Sequence, residues 1–131
     1  MTPFELTLTA GPADIDILGH VNNAVWVRWM EEVATAHWHA LAYPAHVEAY
    51  VWVVTRHEID YLRALGPGGT VTARTWVPDP PQGARMDRLM EFVGEGGRIH
   101  VKARTTWAIV DKASGRPLRV PPHVVAPFSA G

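Results

Sequence analysis

The chain contains no cysteine. This absence excludes disulfide bonds, thiolate metal sites and a cysteine nucleophile. Neither sign of charge is in excess, because 12 basic side chains stand against 13 acidic ones and the formal net charge is −1. Such a balance lacks the basic surface on which nucleic-acid binding depends, so we expect no nucleic-acid partner.

Long apolar runs are also missing. The apolar run Tyr50–Val54 is far shorter than the roughly 20 residues that a membrane helix needs, and it is typical of a buried strand. Residues 1–7 have neither the basic start nor the apolar core of a signal peptide. We therefore expect a cytoplasmic protein without a membrane partner. Its 131 residues are enough for a single domain, residues 1–131.

The spacing of apolar residues predicts one strand, a long helix and four further strands. Apolar and polar side chains alternate from Phe4 to Thr9, as in a strand. Apolar residues then recur every three or four positions, which predicts a helix that is capped by Asn22 or Asn23 and ends before Tyr43-Pro44. Extended patterns follow over residues 50–63, 71–77, 85–93 and 99–109. The tail from Pro121 is expected to be irregular or a short helical turn.

Short Gly- and Pro-containing turns link the last four strands, which favours antiparallel pairing. The predicted fold class is α+β, with one long helix packed against a curved antiparallel sheet of about five strands. A single helix covers one face of a sheet, and we expect Trp52, Val54 and Trp76 on the other. An open edge and a partly apolar open face favour self-association, so the chain is expected to form at least a homodimer.

Residues 14–23 read Asp-Ile-Asp-Ile-Leu-Gly-His-Val-Asn-Asn and lead directly into the predicted helix. The start of a helix carries unpaired backbone N–H groups and a partial positive charge. A carboxylate, an imidazole and free amides in one place can attack a carbonyl group and stabilise the oxyanion that results. A purely structural interpretation is the alternative: Asp14, Asp16 and His20 can be loop residues, and the two asparagine side chains can be helix caps. Asp14 is expected to be structural.

This motif, together with the helix and the strands after it, resembles the hotdog-fold acyl-CoA thioesterases, and most of all the 4-hydroxybenzoyl-CoA thioesterase-like family. The resemblance continues through Glu31–Ala34 in the helix and Ile59–Arg63 in the second strand. It implies a long helix wrapped by an antiparallel sheet, with active sites between the subunits of dimers or tetramers. It also implies hydrolysis of an acyl thioester of coenzyme A, or of acyl carrier protein, without a metal or an organic cofactor.

The resemblance assigns the catalytic roles by position. The catalytic carboxylate of the family matches Asp16, and the backbone amide that polarises the thioester carbonyl matches Asn23. His20 stands where plant acyl-carrier-protein thioesterases have a functional histidine, so it can orient Asp16 or protonate the leaving thiolate. A third polar residue of those enzymes is replaced here by Leu18. Asp16 can act as a nucleophile or can deprotonate a water molecule.

Three further residues are assigned to substrate binding. Asn22 and Trp26 lie at the helix start, where Trp26 can line an acyl pocket although its spacing also suits the core. Arg85 aligns with basic residues that bind coenzyme A phosphates in the family. The alternatives to Arg85 are Arg63, Arg88, Lys102 and Arg104, and for each of these a solvated charge is the ordinary interpretation.

Glu31 and Glu32 form a second candidate carboxylate pair. Another branch of the hotdog family uses a helical glutamate about two turns after the oxyanion-binding amide, and Glu31 lies eight residues after Asn23. A solvated or interface-paired helix face is the favoured interpretation. The remaining histidines lack the spacing of a zinc site. A non-catalytic acyl-CoA-binding protein of the same fold is the alternative from another functional class.

Overall fold

The computed structural model describes residues 2–129, so the predicted domain limits at residues 1 and 131 lie outside the described residues. The strands are β1 (Phe4–Thr9), β2 (Tyr50–Tyr61), β3 (Thr70–Trp76), β4 (Arg85–Val93) and β5 (Ile99–Asp111). The helices are α1 (Asn23–Leu41), α2 (Pro44–Ala49) and α3 (Pro122–Ser129). Within the described residues, none of the helices is long and apolar enough to cross a membrane.

The five strands form one antiparallel sheet in the order β1-β3-β4-β5-β2. The long helix α1 packs on one face of this sheet, so the predicted α+β class is confirmed. Strands β1 and β2 are the edges. Among residues 2–129, β2 pairs with β5 alone, and its 12 residues leave one side of the backbone without a partner strand.

The helix α1 lies on the sheet because its apolar stripe faces the inward residues of the strands. Trp26 is 2 % exposed and meets Trp29 and Phe92 edge-on, with ring centroids 5.2 and 5.1 Å apart. Removing such side chains from water supplies most of the stabilisation, at about 25 cal/mol per Å² of apolar surface. This core fixes the position of the first turn of α1, and therefore of the loop that precedes it.

The prediction for the outer face of the sheet is wrong at Trp52. Its ring packs edge-on against Trp38 of α1, with centroids 5.9 Å apart, so Trp52 faces the helix. Val54 follows Trp52 by two residues, before the irregularity in β2, and shares this face. The run Tyr50–Val54 contains no polar residue to mark the outward side, which explains the error. Trp76 does lie on the outer face, because it alternates with buried neighbours.

The helix α2 was not predicted, and for the tail from Pro121 the prediction was irregular structure or a short helical turn. The helix α2 occupies six residues that start at Pro44. The tail forms the two-turn helix α3, whose buried residues are Val124, Val125 and Phe128. Phe128 stacks on Trp38, with centroids 5.6 Å apart and ring planes inclined by 20°. The helix α3 therefore closes the C-terminal half of α1 onto the sheet.

Candidate active site

The loop before α1 is held in a tight turn by its own backbone. Ile15 and Val21 form an isolated antiparallel bridge, and the Asp16 amide donates to the carbonyl oxygen of His20 at 2.8 Å. Gly19 has a φ of 80°, a conformation that glycine adopts without steric cost. The motif residues therefore form one compact unit ahead of the helix.

Asp14 ties this unit to the helix and to the preceding chain. Its Oδ1 accepts a hydrogen bond from Nη2 of Arg28 at 2.7 Å, and its Oδ2 accepts one from the Gly11 amide at 2.8 Å. Both interactions favour the carboxylate, the Arg28 hydrogen bond most, and they lower the pKa of Asp14. Both oxygens of Asp14 are thus engaged in holding the structure.

The carboxylate of Asp16 is oriented by hydrogen bonds to only one of its two oxygens. Its Oδ1 accepts hydrogen bonds from the amides of Leu18 at 2.9 Å and His20 at 3.3 Å. Its Oδ2 has no hydrogen-bond partner within residues 2–129. Leu18 supplies a main-chain donor here, although its side chain is exposed. The turn therefore presents one carboxylate oxygen for a substrate or a water molecule.

His20 contacts Asp16 through the main chain. Its amide donates to Asp16 and its carbonyl oxygen accepts from Asp16, whereas its exposed imidazole makes no hydrogen bond to residues 2–129. The ring itself does not orient Asp16 in this structure. It is left accessible for proton transfer.

The first turn of α1 has one backbone amide without an acceptor. The Asn22 side chain caps the helix by accepting from the Ala24 amide at 2.9 Å, and the Asn22 carbonyl oxygen accepts from Val25 at 2.9 Å. No acceptor within residues 2–129 lies at the Asn23 amide. An N–H group at a helix start is well suited to stabilise an oxyanion. This is the amide to which the resemblance assigns that role.

The other two residues assigned to substrate binding make no hydrogen bond to Asp16 within residues 2–129. Trp26 is buried in the core beneath the first turn. Arg85 is exposed at the start of β4, whereas α1 begins near the end of β4, where Trp26 contacts Phe92. The loop instead adjoins the segment after β2, because the Val21 amide donates to the Leu65 carbonyl oxygen at 2.8 Å.

That segment borders a cleft with several basic side chains, which has a volume of about 610 Å³. Arg63, Arg98 and His100 line it. Arg104, another sequence candidate, is engaged elsewhere by Asp87 at 2.8 Å and Asp79 at 3.3 Å. Arg63 is therefore the basic candidate with the most direct connection to the loop.

The helical glutamates lie on the exposed side of α1. Glu32 pairs with Nε of Arg28 at 3.5 Å, while Glu31 has no ion pair within residues 2–129. In that same part of the chain, no three His, Asp or Glu side chains are grouped so as to hold a metal ion.

A cavity that the sequence interpretation missed lies beside the C-terminal half of α1. Its volume is about 190 Å³. Aromatic side chains dominate its lining: Trp38, Tyr50, Trp52, Trp107 and Phe128. Arg88 lines it too and is only 8 % exposed, so the interpretation of Arg88 as a solvated charge is wrong.

Arg88 is held by neutral partners. Its Nη1 lies 2.8 Å from Nδ1 of His37 and donates to Oγ1 of Thr75 at 3.0 Å. Burial lowers the pKa of Arg88 to about 10. Burial, aided by the charge of Arg88, lowers the pKa of His37 to about 4, so this histidine is neutral and accepts the hydrogen bond. In the sequence, Arg88 stands two residues after Met86 and two before Met90, which Phe92 follows at the same spacing. These four residues therefore share the helix-facing side of β4, and this spacing was the signal for the position of Arg88.

Solved structures share this fold over most of the chain. A thioesterase of Thermus thermophilus, solved with coenzyme A and zinc, is 23 % identical with a TM-score of 0.84, covering 99 % of this chain and 100 % of that one. A Bacillus stearothermophilus protein described as a predicted thioesterase is 21 % identical with a TM-score of 0.83, covering 96 % and 93 %. A Staphylococcus aureus protein solved in complex with CoA is 18 % identical with a TM-score of 0.81, covering 91 % and 77 %.

No curated protein matches the chain significantly. The family model described as the thioesterase-like superfamily matches residues 10–128. This match begins just after β1, extends into α3, and includes the loop, the helix start and the cavity. The chain therefore belongs to the thioesterase-like superfamily, as a thioester hydrolase of the hotdog fold.

Proposed function

We propose that Asp16 is the catalytic carboxylate with which this thioesterase hydrolyses an acyl-CoA to the free acid and coenzyme A. One observation carries the proposal. At the junction of loop and helix, Oδ2 of Asp16 and the Asn23 amide both lack a partner within residues 2–129, while the groups around them are hydrogen-bonded. A carboxylate and an N–H donor left free in this way suit the attack on a carbonyl group.

The chemistry follows from these two groups. The Asn23 amide donates to the thioester oxygen as negative charge develops there, and the loss of one such donor typically costs about 2.7–4 kcal/mol of barrier. Asp16 either attacks the carbonyl carbon, giving an anhydride that water then hydrolyses, or removes a proton from an attacking water molecule. Either route breaks the carbon–sulfur bond, and His20 or solvent protonates the thiolate. Asn22 supports the site by capping the helix.

We further propose a homodimer joined through the free edges of two β2 strands. A long strand with one unpaired side is a ready template for another strand. Val51 and Val53 on β2 are 42 % and 43 % exposed, and Tyr61 and Leu62 at its end are also exposed apolar residues. Pairing of such edges would remove apolar surface and unpaired backbone groups from water together. Further assembly to a tetramer is compatible with this arrangement.

Antiparallel β2 pairing also completes the site. The aromatic cavity lies at the start of β2, where Tyr50 and Trp52 line it, and the Asp16 loop lies just past the end of β2, at Leu65. Antiparallel pairing sets the start of one β2 beside the end of the other. It would bring the cavity of one protomer, together with the Arg85 of that same protomer, towards the partner's Asp16.

Coenzyme A is the favoured carrier. Relatives from Thermus thermophilus and Staphylococcus aureus were solved with it, and Arg63 and Arg98 offer positive charge in the cleft next to the loop. Hydrolysis of acyl-carrier-protein thioesters is the alternative, and acyl-CoA binding without catalysis is another. Cytoplasmic residence and a single domain over residues 1–131 remain predictions from the sequence.

A panel of acyl-CoA thioesters with aromatic, short and long acyl groups tests the proposal. Purified protein is mixed with each, and thiol release is followed against the same acyl groups on acyl carrier protein. We expect turnover of at least one acyl-CoA. If only the carrier-protein thioesters are hydrolysed, the substrate is an acyl-carrier-protein thioester and the proposed acyl-CoA substrate is rejected. Binding of acyl-CoA without thiol release would reject hydrolysis.

A further inference from the structure

Two side chains with N–H groups that lack acceptors in residues 2–129, Arg88 and Trp107, line the same cavity. Only Nη1 of Arg88 makes hydrogen bonds to residues 2–129, which leaves the N–H groups of Nε and Nη2 without partners in that part of the chain. The indole N–H of Trp107 is buried and has no partner in the same residues. Buried donors are ordinarily satisfied, so an unpaired set at a cavity wall indicates an acceptor supplied from outside the chain.

The two donors lie on one face of neighbouring strands. In the β4–β5 register Arg88 is opposite Thr105 and Met86 is opposite Trp107, so Arg88 and Trp107 are diagonal neighbours. Diagonal neighbours lie about 7–8 Å apart, within reach of long and aromatic side chains. A single small acceptor group can therefore serve both.

The charges around the cavity favour an anion. Among residues 2–129 no carboxylate pairs with Arg88. Asp87 also lines the cavity, but its oxygens accept from Arg104 at 2.8 Å and from Thr106 at 2.7 Å. His39 and Lys112 contribute further basic groups to the lining. A buried guanidinium without a counter-ion is unfavourable, and a carboxylate that accepts two parallel N–H bonds relieves this.

The volume of the cavity limits what can enter. A cavity of about 150 Å³ in another protein holds one benzene molecule, and this one has about 190 Å³ with aromatic walls. One substituted ring or a short chain fits this volume.

We propose that the cavity binds the acyl group of the substrate, and that this acyl group carries a carboxylate of its own, held by Arg88 and the Trp107 N–H. The substrate class is then the mono-thioester of an aromatic or short aliphatic dicarboxylic acid. This assignment of the ligand as an acyl group rests on the thioesterase function proposed above. The anion site itself rests on the cavity and its two donors.

The first arm of the test measures binding without hydrolysis. The intact protein is titrated with 4-methylbenzoate and, as a neutral probe of the same shape, 4-methylbenzamide, by ligand-observed NMR. We expect the carboxylate to bind at least tenfold more tightly. Arg88→Met should abolish this preference, Trp107→Phe should reduce it, and the control Arg116→Met, at an exposed turn position, should leave it unchanged.

Circular dichroism checks that each variant is folded, and Trp107→Phe keeps the test decisive if Arg88→Met does not fold. Equal binding of the two probes by the unmodified protein would overturn the proposal. The proposal would also be overturned if folded Arg88→Met kept the full preference for 4-methylbenzoate. If Arg88→Met does not fold, an unchanged preference in Trp107→Phe would overturn it instead.

The second arm compares hydrolysis of 4-carboxybenzoyl-CoA with that of 4-methylbenzoyl-CoA. We expect kcat/KM to favour the carboxylate by at least tenfold, and Arg88→Met to reverse the order. Faster hydrolysis of the neutral thioester by the unmodified protein would overturn the inference and leave the thioesterase function standing. Hydrolysis of no thioester in the panel, with carboxylate preference retained in the first arm, would overturn the proposed function and the identification of the ligand as an acyl group.

Discussion

Oδ1 of Asp16 accepts a hydrogen bond from the backbone amide of Leu18 at 2.9 Å. The turn is therefore organised by main-chain donors, and the side chain at position 18 is not needed to hold the carboxylate. The plant enzymes that the motif resembles carry a polar residue there. In this chain an amide of the turn contributes to orienting Asp16 through Oδ1. The other oxygen, Oδ2, has no hydrogen-bond partner within residues 2–129.

Removal of the Asn23 amide is expected to slow hydrolysis without unfolding α1. Asn23 is the first helical residue, where proline is tolerated, and Asn22 has φ −63° and ψ 142°, a conformation compatible with a following proline. Asn23→Pro should lower kcat by roughly 10²–10³-fold, as expected for the loss of one oxyanion donor. Asn23→Ala keeps the N–H and should retain most activity. Equal activity of the two variants in the thiol-release assay would remove the Asn23 amide from the mechanism.

Acid is expected to destabilise the protein through His37. Its pKa of about 4 in the folded chain lies below the value of about 6.5 in an unfolded one. Between these values the unfolded state binds a proton that the folded state does not, so stability is fully present above pH 6.5 and is lost as the pH falls towards 4. From pH 7.5 to pH 5 this should cost about 2 kcal/mol of unfolding free energy.

Urea denaturation at the two pH values measures this difference, with His37→Gln as the reference variant. Glutamine offers Arg88 an acceptor and does not titrate, so the variant should lose about 2 kcal/mol less over the same pH interval. An equal loss in both proteins would contradict the assignment to His37.

A charge on the free edge of β2 is expected to dissociate the dimer. Val53→Asp places a carboxylate where two strands are proposed to meet, and like charges would face each other across the two-fold axis. Light scattering should then give the monomer mass, and hydrolysis should fall with it because the proposed site lies between subunits. Thr7→Asp makes a comparable change on the other edge strand, β1, and should leave the mass unchanged. If Thr7→Asp dissociates the dimer and Val53→Asp does not, the interface is formed by β1 and not by β2.

Glu31 is expected to be dispensable for the chemistry. It is exposed on α1 without an ion pair to residues 2–129, unlike the oriented carboxylate of Asp16. Glu31→Gln should keep kcat/KM within a few-fold of the unmodified value. A loss of roughly 10²-fold or more, the size expected for a general base, would assign the catalytic role to the helix.

The sequence predicted the elements whose pattern is local. Residues 4–9 alternate cleanly, and residues 85–93 lie between two Gly-containing turns; both strands have the predicted bounds. A cap at Asn22 or Asn23 was predicted because a helix start is a local event, and the structure has Asn22 as the cap. The face to which Trp52 points did not follow, because five consecutive apolar residues carry no alternation.

The cavity could not be predicted, because it is made by residues that are distant in the sequence. Trp38 of α1, Arg88 of β4 and Phe128 of α3 meet only through the sheet register and the packing of a tail helix. A charged residue on a buried face was visible in the alternation of β4, but its missing counter-ion is a property of the folded chain. The residues proposed to react were thus chosen from the sequence, whereas the cavity proposed to select the acyl group was found only in the structure.

The most direct test of the account is the kcat/KM of Asp16→Asn for the best acyl-CoA of the panel. Asparagine keeps an oxygen that can accept from the Leu18 and His20 amides, so the turn, the unfolding free energy and the oligomeric mass should be unchanged. Hydrolysis should fall by roughly 10²–10⁴-fold, the usual contribution of a positioned base. Full thiol release by the folded variant would contradict the role given to Asp16.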